Sequence, residues 1–96
     1  MAEAKMSMVV PLNGTNYSTW KVQCKVALVK EGLWNVVIEM EVAPTDNTTQ
    51  EYANFMVRYN RALATIVLTV DPALLYLLGE PDSSVTVWEK LASQFQ

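Results

Sequence analysis

The chain has no histidine and a single cysteine in 96 residues. The first absence removes the commonest general base and the commonest metal ligand. Together they exclude a Cys–His nucleophile pair and every cysteine–histidine zinc arrangement. No catalytic residue, metal ligand or cofactor is therefore expected, and no small-molecule substrate. Cys24 has no partner for an internal disulfide, which fits a reducing compartment, the cytoplasm. Glycine is scarce too. Gly14, Gly32 and Gly79 each stand at the edge of a periodic segment, so no phosphate-cradling loop is available. Positive charge is in deficit: 7 Lys and Arg against 10 Asp and Glu give a formal net charge of −3. Nucleic-acid-binding modules usually carry the opposite imbalance. Long apolar runs are missing as well. Between Arg61 and Glu80 only Asp71 is charged, but Asp71-Pro72 interrupts a run that must reach about 20 residues to span a membrane. Met6 to Leu12 is a short apolar run behind one lysine with no small-residue cleavage site after it, so no secretory signal is read there. Without one, the glycosylation patterns at Asn13, Asn16 and Asn47 read as cap and turn residues.

What the chain does have is apolar content, 51% of its residues. That is ample for one small core and too high for a disordered chain. A domain of this length buries only about two-thirds of its unfolded surface. The stretch Glu51 to Val70 organises the rest. Tyr52, Phe55, Met56, Tyr59, Ala62, Leu63, Ile66, Val67 and Val70 share one broad side at 100° per residue, with Asn54, Arg58, Arg61 and Thr65 opposite. So wide an apolar side must be wrapped by neighbours.

Upstream, Met1 to Met8 shows no pattern and reads as frayed. Residues 1–12 are expected to be a frayed or extended arm, and 13–96 the helical domain. Asn13-Gly14 signals a turn, and Thr15 or Asn16 is expected to cap a helix over Tyr17 to Glu31 that stops at Gly32. Tyr17, Trp20, Cys24, Ala27 and Leu28 form one apolar face of that helix, set against Tyr59, Leu63 and Ile66. Val22, Val26 and Val29 form a second face on nearly the opposite side, bordered by Lys21 and Lys25 on one flank and Gln23 and Lys30 on the other. Cover for the valines within the chain would have to come from Val9, Val10 and Leu12, from the connection 39–49, or from the last helix. Leu33 to Val37 predicts a short helical turn that buries Trp34. Glu39 to Thr49 is an acidic, proline-containing connection whose end offers Asp46, Thr48 or Thr49 as a cap, with Thr48 and Glu51 at capping-box spacing. Asp71-Pro72 restarts a helix that ends at Gly79. A last helix begins near Ser83 or Ser84, with Val85, Trp88, Leu91, Ala92 and Phe95 as its stripe. No stop signal follows, so it reads as cut, with Phe95 partly unsupported and its last turn frayed. The expected fold is all-α, a small bundle of about four to five helices truncated at the C-terminal one.

Patterns suggestive of chemistry are weak. Tyr17-x-x-x-Lys21 matches a reductase pair, but no nucleotide fold surrounds it. Glu39 and Glu41 read as solvated loop carboxylates without perturbing partners. Lys21, Lys25, Arg58 and Arg61 make at most a small basic patch, since exposed helix charges usually solvate a face. Trp20, Trp34 and Trp88 can stack on bases in principle, yet each sits in an apolar pattern that suits a core anchor. Cys24 lies on the aromatic face and reads as core.

Leu12-Asn-Gly-Thr-Asn-Tyr17-Ser-Thr-Trp20, followed by an apolar helix that runs to Leu33-Trp34, resembles the N-terminal part of Gag from copia-type LTR retrotransposons. In that family an apolar-x-Gly-x-Asn-Tyr-x-x-Trp opening precedes the first helix. Ala62 to Ile66 and Val87-Trp88-Glu89-Lys90-Leu91 are similar to later signatures of the same family in the same order, with Val85 or Val87 near the usual alanine. The resemblance covers residues 12–96. It implies a capsid-like, self-assembling helical protein that packages RNA in cytoplasmic particles. Leu12, Gly14, Tyr17, Trp20, Leu33, Trp34, Trp88 and Leu91 would then be structural residues of the family motif. Family members often continue to a zinc knuckle that holds RNA. This sequence has none, so RNA contact is expected only through downstream regions. The expected function is a non-catalytic structural module contributing to self-assembly, Gag to Gag, with Val22, Val26 and Val29 as the association face. The alternative is a small helical adaptor, a domesticated Gag remnant, that binds another protein through an apolar groove.

Overall fold

The structure, a computed structural model, describes residues 9–96. The expected fraying of Met1 to Met8 falls outside them. Among the described residues four α-helices and one 3-10 helix follow in order: α1 (Tyr17–Lys30), α2 (Trp34–Val37), α3 (Gln50–Leu68), the 3-10 helix (Pro72–Leu78) and α4 (Ser84–Phe95). The fold is all-α, as the periodicity predicts. α3 packs most extensively against α4.

The turn before α1 is built by side chains. Asn13 Oδ1 accepts from the Thr15 backbone N–H and its hydroxyl, both at 2.9 Å. Asn16 Oδ1 accepts from Asn13 N–H, and Asn16 Nδ2 donates to Pro11 O. Asn16 is thus the N-cap residue by position, but its side chain makes no cap bond to the helix. It fastens the preceding turn instead, because its amide can donate and accept at once. Gly14, at φ +96°, takes a conformation that a side chain would strain.

The same C-terminal motif closes α1 and α2. After α1, Gly32 N–H donates to Val29 O and Leu33 N–H to Leu28 O, with Gly32 at φ +74°. After α2, Glu39 N–H donates to Val36 O and Met40 N–H to Asn35 O. Both are Schellman closures, which place a left-handed residue just past the helix. The second puts Glu39 there, at φ +61°, where a Cβ carries a conformational cost.

The remaining caps follow the expected chemistry with local shifts. Thr49 Oγ1, not the Thr48–Glu51 box, caps α3 by accepting from Tyr52 N–H. Asp46 takes the Thr48 hydroxyl and N–H instead. Asp71 and Ser83 accept from Ala73 and Thr86 N–H. The seven residues after Asp71 wind as a 3-10 helix, not the expected ordinary helix.

The core joins α1, α3 and α4 to the chain before α1. Val9 and Leu12 are buried, so the described end of the arm is docked, not frayed. Leu12 bridges Val70: its N–H donates to Thr69 O, and its carbonyl accepts from Asp71 N–H, each at 2.9 Å. Trp20, fully buried, meets the Trp88 ring at 5.4 Å and donates its indole N–H to Thr69 Oγ at 3.0 Å. Of the stripe expected opposite Trp20, Ile66 lies in this core and Leu63 packs on it. Tyr59 does not join them and pairs with Phe55. On α4 the buried positions are Ser84, Val87 and Leu91, with Trp88 and Phe95 partly buried. Val87 thus displaces Val85 from the inner row, since 84, 87, 91 and 95 fall on one side at helical spacing. Phe95 is supported after all. It stacks on Tyr17 with centroids 6.1 Å apart.

Two substitutions test this packing. Trp20→Ala empties a fully buried aromatic site and removes one of the hydrogen bonds to the Thr69 hydroxyl; a loss of about 3–5 kcal/mol is expected in chemical denaturation. Glu39→Gly relieves the left-handed residue after α2 and is expected to raise stability by up to about 1 kcal/mol, read from the same melts.

Candidate interaction surface

The family-motif residues assemble into one aromatic row. Tyr17 lies 5.8 Å from Trp20, Trp20 lies 5.4 Å from Trp88, and Trp88 meets Trp34 edge-on at 5.3 Å. Leu12, Leu33 and Leu91 are buried beside it. A Cβ built on Gly14 would come within 3.9 Å of Leu74 and Phe95. Trp34 and Trp88 are only partly buried, and Trp34 carries the Lys25 ammonium 5.3 Å from its centroid. Rings packed against one another in a core are poor platforms for nucleobases, which need an open ring face.

Cys24 sits in this core. Its sulfur is 3.8 Å from Thr69 Oγ. The Thr69 hydroxyl gives its one hydrogen to Ile66 O at 2.7 Å, so the thiol is the donor to Thr69. Burial pushes the Cys24 pKa up to about 11. Such a thiol is a packing group, not a nucleophile.

The polar residues arrange themselves differently from the sequence reading. Glu41 is not a free loop carboxylate. Arg58 grips both its oxygens, at 2.5 and 2.6 Å. Those hydrogen bonds hold Glu41 below the usual carboxylate range, and they withdraw Arg58 from any basic patch. Both side chains are about a third exposed, at 33% and 39%, so the pair contributes at most about 1 kcal/mol. Its structural effect is to tie the connection 39–49 to α3. Among the described residues no group of His, Cys, Asp and Glu is placed to hold a metal ion, and no helix is long and apolar enough to cross a membrane.

The valine face is where the surface departs from an ordinary one. Val22, Val26 and Val29 are 62%, 59% and 53% exposed. Each segment able to cover them is engaged elsewhere. Val9 and Leu12 point into the core, the 39–49 connection is tied to α3, and α4 packs its aromatic residues on the opposite face of α1. Lys21 and Lys25 lean over the Tyr17 and Trp34 rings, leaving the valines open between cationic flanks. On the other flank, Gln23 accepts from Val10 N–H at 2.9 Å. The stripe runs into a groove of about 630 Å³, lined by Val22, Lys21, Lys25, Tyr17, Gly14 and Phe95 among others. The Tyr17 hydroxyl is buried there with no hydrogen-bond partner among the described residues, and burial raises its pKa.

Spacing alone placed Val22, Val26 and Val29 on one row of α1, apart from the packed row of Trp20, Cys24 and Leu28. It missed Thr69, the stacking of Phe95 on Tyr17 and the Glu41–Arg58 pair. Thr69 carried one signal, as a polar residue ending an otherwise apolar run.

A family described as a domain of unknown function, DUF4219, matches residues 12–38, which span the side-chain-built turn, α1 and α2. No curated protein matches the chain. No solved structure matches it.

The core reading of Cys24 has a direct check. Alkylation by iodoacetamide at neutral pH is expected to run about a hundredfold slower in the folded chain than in urea, since a free thiol has a pKa of about 8.5.

Proposed function

We propose that this chain is a non-catalytic structural module of the Gag type, of copia-like retrotransposon origin, that contributes to capsid-like self-assembly in the cytoplasm. Three things support the reading. The matched family occurs in retrotransposon Gag-like regions. The Leu12-to-Trp20 motif behaves as a fold-building element, since its aromatic residues pair with α4. Above all, α1 presents Val22, Val26 and Val29 to solvent along one line, more than half exposed each. A small domain with a limited core gains nothing for its own fold from apolar side chains left in water. RNA contact belongs, on this reading, to regions downstream.

The second reading, an adaptor that binds a different protein, is favoured by the groove at Tyr17 and Phe95, which offers a recess of mixed polar and apolar lining beside the stripe.

Self-association separates the two. In sedimentation velocity across a concentration series, the wild-type chain is expected to form oligomers. Val26→Asp is expected to remain helical and monomeric, with association weakened about tenfold or more. A wild-type chain that stays monomeric at every concentration rejects self-assembly through this domain and leaves the adaptor. A Val26→Asp chain that unfolds shows the face to be internal, because only a buried unpaired carboxylate is that destabilising.

A further inference from the structure

The self-assembly reading leaves open what the valine stripe meets on a second copy. Three valines bury too little for a stable contact, which needs about 1,000 Å² in total, so the counter-surface must add apolar area of its own.

A symmetric pairing of α1 with its own copy is disfavoured by charge. Val22, Val26 and Val29 form the seam, and the positions flanking it are Lys21 and Lys25 on one side and Gln23 and Lys30 on the other. No carboxylate flanks the seam. In an antiparallel helix pair the flanking position of one helix faces its own equivalent, and Lys25 would meet Lys25. In a parallel pair Lys25 would meet Lys30. Like charges brought together at an interface cost affinity and steer copies apart.

The chain carries a surface of the opposite kind. After α2 the backbone turns at Glu39, and Ile38, Met40 and Val42 stand 43%, 76% and 71% exposed. Carboxylates alternate with them at Glu39 and Glu41, and residues 39–49 contain no basic residue. The segment is held in place at its centre. Met40 and Glu41 N–H both donate to Asn35 O, and Arg58 grips the Glu41 carboxylate. The apolar tips are therefore displayed on a fixed turn, and little ordering entropy is lost on docking. Glu39 supplies a carboxylate with no ion-pair partner among the described residues.

We infer that the valine–lysine face of α1 takes the Ile38–Val42 turn of a second copy, in a head-to-tail contact. The inference rests on the self-assembly reading and assigns its two surfaces. Val26 and its neighbours meet Met40 and its neighbours, while Lys21, Lys25 or Lys30 face Glu39. Because the two surfaces differ, a pair of copies retains one free face of each kind. Such a contact propagates, into a ring if the rotation closes and a filament if it does not.

Mixing two variants of the full chain tests this. Val26→Asp disables one surface and Met40→Asp the other, both at exposed positions, with circular dichroism to verify the fold. Each variant alone is expected to be monomeric where the wild type forms higher oligomers. An equimolar mixture is expected to form one-to-one dimers and nothing larger, since it holds one intact pair of surfaces. Glu39→Lys is expected to weaken wild-type association about tenfold and to lower its salt dependence. A wild-type chain that self-associates while Met40→Asp has no effect overturns the head-to-tail contact and leaves self-assembly standing. Loss with Tyr76→Asp, at an exposed tyrosine of the 3-10 helix outside both surfaces, in place of Met40→Asp, or a mixture that stays monomeric, overturns it too. A monomeric wild type removes both readings together.

Discussion

The Thr69 side chain and its neighbouring backbone fix how the chain closes. Its hydroxyl accepts from the Trp20 indole and donates to Ile66 O, its carbonyl accepts from Leu12 N–H, and the Cys24 thiol reaches it as well. One buried polar residue at the end of α3 thus receives the chain before α1 and the inner face of α1. Trp20 brings a large apolar body to that point with a single polar atom, the indole N–H, which must be satisfied once buried. Thr69 satisfies it. The pairing therefore selects one seating of α1 on α3 from many that hydrophobic burial alone would tolerate.

Local chemistry explains what could be read from the residues alone. Helical period placed α1, α3 and α4, and Gly32, Asp71-Pro72 and Ser83 marked their boundaries, because caps and periodicity act within a few residues. The two faces of α1 were visible in the same way. The structure's departures from expectation are long-range or depend on which of several equivalent groups wins. Trp20 and Thr69 are 49 residues apart, and Glu41 and Arg58 are 17 apart; no periodicity links them. Thr49 prevailed over Thr48 as the cap because Asp46 took the Thr48 hydroxyl. Asn16 had two local uses for its amide, and the turn took it. As for the candidate surface, its membership followed from spacing, but its exposure followed only from where the arm, the 39–49 connection and α4 went.

α1 divides the labour of the domain along its own axis. The row containing Trp20, Cys24 and Leu28 is buried and decides the fold. The row of valines is solvated and contributes nothing to that core. The two rows lie nearly opposite each other, so substitutions on one can vary with little direct effect on the other. A helix arranged this way lets a small domain change its associations without redesigning its core.

The segment that carries the recognisable motif is not where that motif is satisfied. Residues 12–38 hold Leu12, Tyr17 and Trp20, while their bridging, ring and hydrogen-bond partners include Val70, Thr69, Trp88 and Phe95. Cut out as a peptide, that stretch would present its indole and its leucine to water with nothing to receive them. During synthesis it leaves the ribosome before its partners and waits for them. Its local turns can form early, but the step that commits the motif is the closure of a loop of about fifty residues, which is slow relative to helix formation. In sequence the motif comes ahead of its partners; in folding it locks only once they arrive.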